Sequence, residues 1–171
     1  MKKAIILLTL ILAILSCKAQ DEPKVFSEKA LSDIFVDQQG NAIAFSKILE
    51  THKGKQIVID IWASWCKDCI QSMPEVKKLQ ANNPETLFLF LSLDKSEETW
   101  KKGIEKHKVK GDHYFMKSGW KGDLATFLDL DWIPRYLIVD KKGNIKLFRA
   151  VKANDNKIKL ALKSHFLLGL T

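Results

Sequence analysis

Ile57-Val58-Ile59-Asp60-Ile61-Trp62-Ala63-Ser64-Trp65-Cys66-Lys67-Asp68-Cys69 is the stretch around which the chain is organised. Val58, Ile59 and Ile61 suit a strand buried on both faces, as central parallel strands are. Small residues then break the run. After Cys66 the apolar positions change period: Cys69, Ile70, Met73, Val76 and Leu79 recur at spacings of three and four, which predicts a helix. A strand, a short turn and a helix opening on Cys-x-x-Cys put the first sulfur at a helix N-terminus. Unpaired amides and the positive end of the dipole favour thiolate there.

That placement predicts chemistry. A free thiol has a pKa near 8.5, and lowering it towards ~7 makes about half of it nucleophilic at neutral pH. Cys66 is therefore the expected exposed, attacking sulfur. Cys69, one helical turn further in, is expected to resolve the mixed disulfide by attacking Cys66. Half of a zinc site and a purely structural disulfide are the competing readings. No second Cys-x-x-Cys or His-x-x-x-His follows, and Cys17 is the only other cysteine.

Asp60-Ile61-Trp62-Ala63-Ser64-Trp65-Cys66-Lys67-Asp68-Cys69 resembles the active-site signature of the thioredoxin superfamily. Pro74 matches the proline inside that family's first active-site helix. Ile133-Pro134 resembles its cis-proline loop, and Tyr136-Leu137-Ile138-Val139-Asp140-Lys141-Lys142-Gly143-Asn144-Ile145 resembles the hairpin that follows. With an N-terminal export signal, the chain is similar to the TlpA/ResA-like branch of membrane-tethered thiol-disulfide oxidoreductases, over roughly residues 30 to 168. The resemblance implies an α/β thioredoxin fold: a mixed central sheet with helices on both faces, an N-terminal β-hairpin extension, and an insertion before the cis-proline strand, here partly residues 95–130.

Further roles follow from the resemblance. Asp60 should be buried amid Ile57, Val58, Ile59 and Ile61, and burial raises a carboxyl pKa and makes it a possible proton acceptor. The family match implies that it helps deprotonate Cys69 through water; the alternative is an aspartate with a local structural hydrogen bond. A cis bond at Pro134 would turn the backbone of Ile133 towards Cys66 and let it pair with an extended substrate segment. Trp62 reads as core packing, Trp65 as an exposed part of the docking surface. Lys67 favours a thiolate at Cys66 and Asp68 opposes it, so the two partly cancel. This dipeptide departs from the proline-containing ones common in the family, so no reduction potential carries over.

At 171 residues the chain suits one domain with a real core. Apolar content of 46% with 28% charged residues is globular rather than disordered. Lys2-Lys3, an apolar run from Ala4 to Leu15 and then Ser16-Cys17 read as a secretory signal, too short to span a bilayer as a helix. Ile14-Leu15-Ser16-Cys17 further resembles a bacterial lipobox, which implies a signal peptide over 1–16, lipidation of Cys17, a tether over 17–29 and a thioredoxin-like domain over 30–171. The domain would then face an extracytoplasmic, periplasmic space with the membrane held through the lipid. The formal charge of +8, or +6 once the signal's two lysines are removed, is spread along the chain. No basic helix or aromatic-interleaved basic ribbon appears, which argues against nucleic acid.

The rest of the chain reads as a hairpin of Leu31, Ile34, Val36 against Ile43, Phe45 around Asp37-Gln38-Gln39-Gly40-Asn41, then a short helix N-capped by Ser46. A strand over 86–93 follows, then a helix from Ser96 to His107. Tyr114-Phe115-Met116 suits a short strand, and Leu124, Phe127 and Leu128 a helix face. Strands over 135–139 and 145–150 must pair antiparallel, because their link is short. Asn154 or Asp155 should cap a last helix whose Ile158, Leu160, Ala161, Leu162 and Phe166 face the sheet. His52, His107, His113 and His165 read as surface residues, with no cluster for a metal.

The expected activity is disulfide reduction in exported cysteine-containing proteins, with cytochrome c maturation as one such service. The cysteine pair is itself the redox centre and no organic cofactor is implied; electrons would come from a membrane thiol-transfer protein. Rival readings are a protein-disulfide oxidant, a copper or zinc carrier using both thiolates, and a fold-retaining binding module without turnover.

Overall fold

The computed structural model describes residues 22–108 and 110–163. Its elements are α1 (Glu28–Ser32), β1 (Ile34–Val36), β2 (Ala42–Ala44), α2 (Phe45–Thr51), β3 (Ile57–Trp62), α3 (Lys67–Asn82), β4 (Leu87–Ser92), α4 (Glu97–His107), β5 (Asp112–Phe115), a 3₁₀ turn (Gly119–Lys121), α5 (Asp123–Phe127), β6 (Arg135–Val139), β7 (Ile145–Ala150) and α6 (Asn156–Lys163). Seven strands form one mixed sheet in the order β2-β1-β5-β4-β3-β6-β7. β3 runs parallel to β4 and antiparallel to β6, and β4 runs parallel to β5. All six positions of β3 are buried, so both faces of the central strand are covered, as its unbroken apolar run requires.

The hairpin extension joins the main sheet through β1, which lies antiparallel to β5 with Val36 opposite Phe115. Both hairpins turn on the same five-residue sequence pattern. In Asp37-Gln38-Gln39-Gly40-Asn41 and Asp140-Lys141-Lys142-Gly143-Asn144 the aspartate Oδ1 accepts N–H bonds from the third and fifth turn residues. The glycine has φ +91° in each, a left-handed backbone that favours glycine.

Ser96 caps α4 in a reciprocal arrangement with Thr99, as its position before two glutamates suggests. Asp155 caps α6 by accepting from the Lys157 N–H at 2.8 Å. Three local expectations differ. Leu31 lies in α1, which the sequence reading did not foresee, and Phe45 opens α2 rather than extending β2. The cap of α2 is Ala44, with no side-chain bond; Ser46 lies inside the helix because the buried Phe45 and Ile48 set its start two residues earlier. On α6, Ile158 and Leu162 are buried but Leu160 is 68% exposed, since a helix offers one stripe to the sheet and position 160 lies off it.

The chain is held well before residue 30. The Ile145 N–H donates to the Lys24 carbonyl at 2.7 Å, and Phe26 packs edge-on against Phe45 at 5.0 Å and against Phe127 at 5.7 Å. The signal segment, Cys17, His165 and Phe166 lie outside the described residues.

Candidate active site

β3 ends at Trp62, and Ala63-Ser64-Trp65 carry the chain to α3, whose N-cap is Cys66. The Cys66 sulfur accepts the Cys69 N–H at 3.1 Å, so the first sulfur does sit on the free amides of a helix start. The two cysteines are joined as a disulfide with Cα atoms 5.3 Å apart. Cys66 is 6% exposed and Cys69 1% exposed. Cys66 is thus less open than the sequence suggests, yet it lines a surface groove and Cys69 does not.

Asp94 fixes the turn before Cys66. Its carboxylate accepts the Ser64 N–H at 3.0 Å, the Ser64 hydroxyl at 2.6 Å and the Ser92 hydroxyl at 2.7 Å. Sequence reasoning missed it; the available signal was a polar Ser92-Leu93-Asp94 just past a buried strand and level with the Cys-x-x-Cys turn. Behind the turn stands Gly103 of α4, where a Cβ would overlap the Cβ of Ser64.

Asp60 is 1% exposed, and neither carboxylate oxygen has a protein hydrogen-bond partner among the described residues. Burial pushes its pKa up to about 8. The local hydrogen bond considered as the alternative is therefore not there. Tyr136 stands opposite it across β3 and β6. Burial first, and then the charge of Asp60, raise the Tyr136 phenol above its ordinary range. The Tyr136 hydroxyl and Ser72 Oγ are 3.0 Å apart, and Ser72 donates to the Cys69 carbonyl at 2.8 Å. Since the serine proton is used on that carbonyl, the tyrosine is the donor of the pair. A polar thread thus runs from β6 to the first turn of α3.

The Ile133–Pro134 peptide bond is cis, and both residues are buried. The Ile133 carbonyl oxygen lies 3.7 Å from Cys66 Sγ. The loop before it is wound on Arg135, whose guanidinium is almost wholly buried and donates to the Leu128 carbonyl at 3.0 Å and to Asp131 at 2.6 Å. Arg149, beside it on β7, donates to the carbonyl of Asp129 at 2.9 Å. An arginine inside a strand signals a buried ion pair, but its partner four residues upstream is visible only in three dimensions.

A groove of about 440 Å³ opens in front of Cys66, walled by Trp65, Trp120, Trp132 and Ile133. Trp65 is 52% exposed, as expected of a docking residue, and Trp62 is fully buried. Lys67 and Asp68, both exposed, lie at the groove's edge. Trp120 and Trp132 were not singled out from sequence; nothing around Trp120 places it beside Cys66, whereas Trp132 carried a signal in its place directly before Ile133-Pro134. Two histidines differ from expectation: His52 and His113 are buried, His52 facing Asp112 at 3.1 Å and His113 stacked on Phe90 at 4.9 Å. His113 lies on β5 inside the sheet, opposite Phe90 of β4, and His52 lies at the C-terminal cap of α2. Among the described residues no group of three or more His, Cys, Asp or Glu side chains is gathered for a metal ion. No helix among them is long and apolar enough to cross a membrane.

Residues 54–145 match a family model described as thioredoxin-like. Over 173 aligned residues, 94% of this chain and 95% of the relative, the sequence is 23% identical to thiol-disulfide oxidoreductase ResA of Bacillus thuringiensis subsp. konkukian. It is 30% identical over 102 residues to thioredoxin-like protein YneN of Bacillus subtilis, which spans 57% of this chain and 58% of that relative. The fold is similar to the solution structure of a thiol:disulfide interchange protein from Bacteroides sp., with a TM-score of 0.66 at 23% identity, covering 84% of this chain and 90% of that one.

Proposed function

The chain belongs to the thioredoxin-like family, and from that premise we propose that it reduces disulfides of exported proteins through a Cys66–Cys69 dithiol/disulfide cycle. It is a thiol-disulfide oxidoreductase, the activity for which its relatives ResA and, at 30% identity over 104 residues, the Yersinia pestis thiol:disulfide interchange protein DsbE are named. The observation that carries the reading is the bonded cysteine pair at the start of α3, its first sulfur facing a groove and the Ile133 carbonyl.

In the reduced protein, Cys66 thiolate attacks one sulfur of a client disulfide. The client S–S bond breaks, a Cys66–client mixed disulfide forms, and the other client sulfur leaves as a thiolate. Cys69 then loses its proton towards Asp60 and attacks Cys66 Sγ. The Cys66–Cys69 disulfide forms, the second client thiolate departs, and two electrons have passed to the client. A buried carboxyl with a pKa of about 8 accepts a proton only in its ionised form, so the transfer quickens as pH rises towards 8. Trp65, Ile133 and Pro134 line the place where an extended client segment would lie, with the Ile133 carbonyl, 3.7 Å from Cys66 Sγ, as an acceptor for a backbone N–H. Lys67 and Asp68 tune the sulfur with opposed charges.

The pair needs no organic cofactor; a membrane thiol-transfer protein would return it to the dithiol state. The extracytoplasmic location and the lipid on Cys17 rest on the N-terminal sequence, and the cytochrome c role on family resemblance. Equilibrating the full chain with dithiothreitol and glutathione buffers tests the direction. A potential near or below roughly −270 mV supports a reductase recharged from the membrane, whereas one near roughly −120 mV makes the protein an oxidant.

A further inference from the structure

Three tryptophans surround one sulfur, and they come from three unrelated parts of the chain. Trp65 belongs to the turn before α3, Trp120 to the 3₁₀ turn between β5 and α5, and Trp132 to the loop before β6. All three are exposed, at 52%, 41% and 58%. Burying large indoles is favourable, so three left open around a reacting atom form a surface that a ligand can cover with gain.

Trp132 also divides two grooves. The one containing Cys66, Trp65 and Trp120 is about 440 Å³, and a second of about 350 Å³ beyond Trp132 is lined by Gln71, Ser72, Glu75, Pro134 and Asn154 among others. A chain crossing Cys66 therefore meets indole on one side of Trp132, and on the other polar side chains mixed with Pro134, Val151 and Ala153. The charge at the aromatic groove is already balanced. Asp131 is engaged by Arg135 at 2.6 Å, and Asp68 is offset by the adjacent Lys67. That removes the attraction a cationic occupant would need.

We propose that Trp120 and Trp132, with Trp65, act as a specificity clamp that selects client disulfides whose cysteine is flanked in an extended segment by an aromatic side chain. The inference rests on Cys66 being the attacking sulfur. An aromatic ring entering the groove can meet two or three indoles edge-to-face, and such pairs are worth enough to change a rate constant by about fivefold beyond simple burial. The flanking residue is inserted while Cys66 attacks, so the gain belongs to the encounter and the mixed disulfide.

The test uses the reduced full chain and short peptides dimerised through one disulfide, identical except for Phe, Ser or Lys beside the cysteine, with oxidised glutathione as a small disulfide. Each rate constant is divided by that of the same peptide with dithiothreitol, which removes intrinsic reactivity. The corrected Phe/Ser ratio should be about fivefold or more in the wild-type chain. It should fall towards one in Trp120→Ala and Trp132→Ala, and largely return in Trp120→Phe and Trp132→Phe. A ratio near one in the wild type, a ratio unmoved by both alanine variants, or a preference for Lys overturns the clamp while leaving the oxidoreductase reading intact. If no disulfide, oxidised glutathione included, reoxidises the dithiol, the oxidoreductase reading falls and the clamp with it.

Discussion

The Asp60 carboxyl, enclosed between β3 and β6 with no protein partner for either oxygen, is held at a pKa of about 8 against an ordinary 3.8. The sign of its effect on stability follows directly. Between about pH 4 and pH 8 the unfolded chain has lost this proton and the folded chain keeps it, so folding takes up a proton. The stabilising difference is fully present below pH 4 and is lost as pH rises through 8. Asp60→Asn, which cannot ionise, should therefore gain on the order of a few kcal/mol over wild type between pH 4.5 and 8.5, measured by urea unfolding of the disulfide-bonded protein at both pH values. Parallel pH profiles of the two proteins would show that the proton is not held. The same substitution should flatten the rise in client release from Cys66 as pH climbs towards 8, where the ionised Asp60 that accepts the Cys69 proton becomes populated. That Asp60 is buried was legible in a charge placed within Ile57-Val58-Ile59 and Ile61; the Tyr136–Ser72 pair was not, since β6 and α3 meet only through the fold.

At the scale of elements, α4 sets the position of the Cys66 turn. Gly103 of α4 touches Ser64, and Ser64 cannot move aside because Asp94 holds both its N–H and its hydroxyl. Gly103→Ala would gain about 1 kcal/mol of helix propensity, but the overlap with Ser64 should cost about 1–3 kcal/mol and tilt the balance to destabilisation. Chemical denaturation should show a net loss, and client reduction should slow because the turn carries Trp65 and Cys66. A stabilised variant with unchanged exchange rates would mean that the turn yields freely. The strands and helices that frame this contact were readable from period alone: the β3 run, the α3 spacing and the Ser96 cap all sit within a residue or two of expectation. What escaped were decisions made by packing. Phe45 and Ile48 moved the start of α2, and Leu160 turned outward, because burial against distant elements overrides local pattern.

Across the whole molecule, the N-terminal extension and the segment between β5 and β6 are clasped to each other, and the clasp bears on Trp120. Asp33, 6% exposed just after α1, accepts the Ser118 hydroxyl at 3.1 Å and the Leu124 N–H at 3.0 Å, bracketing the 3₁₀ turn that presents Trp120. Phe26 and Phe127 pack together beside it at 5.7 Å. No sequence pattern links residue 33 to residue 124; the addition of β1 to β5 and the packing of α1 on α5 bring them together. Asp33→Ala would strand the buried Leu124 N–H, at a cost of about 1–3 kcal/mol. That loss should be concentrated locally, since β3, β4 and β6 do not depend on the clasp. Hydrogen exchange should therefore quicken at the Leu124 amide and through α5 while the amides of β3 stay protected, and the urea midpoint should fall. Should the Leu124 amide keep its protection, the carboxylate is not what holds the segment. If the protection is lost but reduction of aromatic-flanked disulfides stays as fast as in wild type, then Trp120 does not need a fixed position, and an indole on a loosened turn is enough to cover the client.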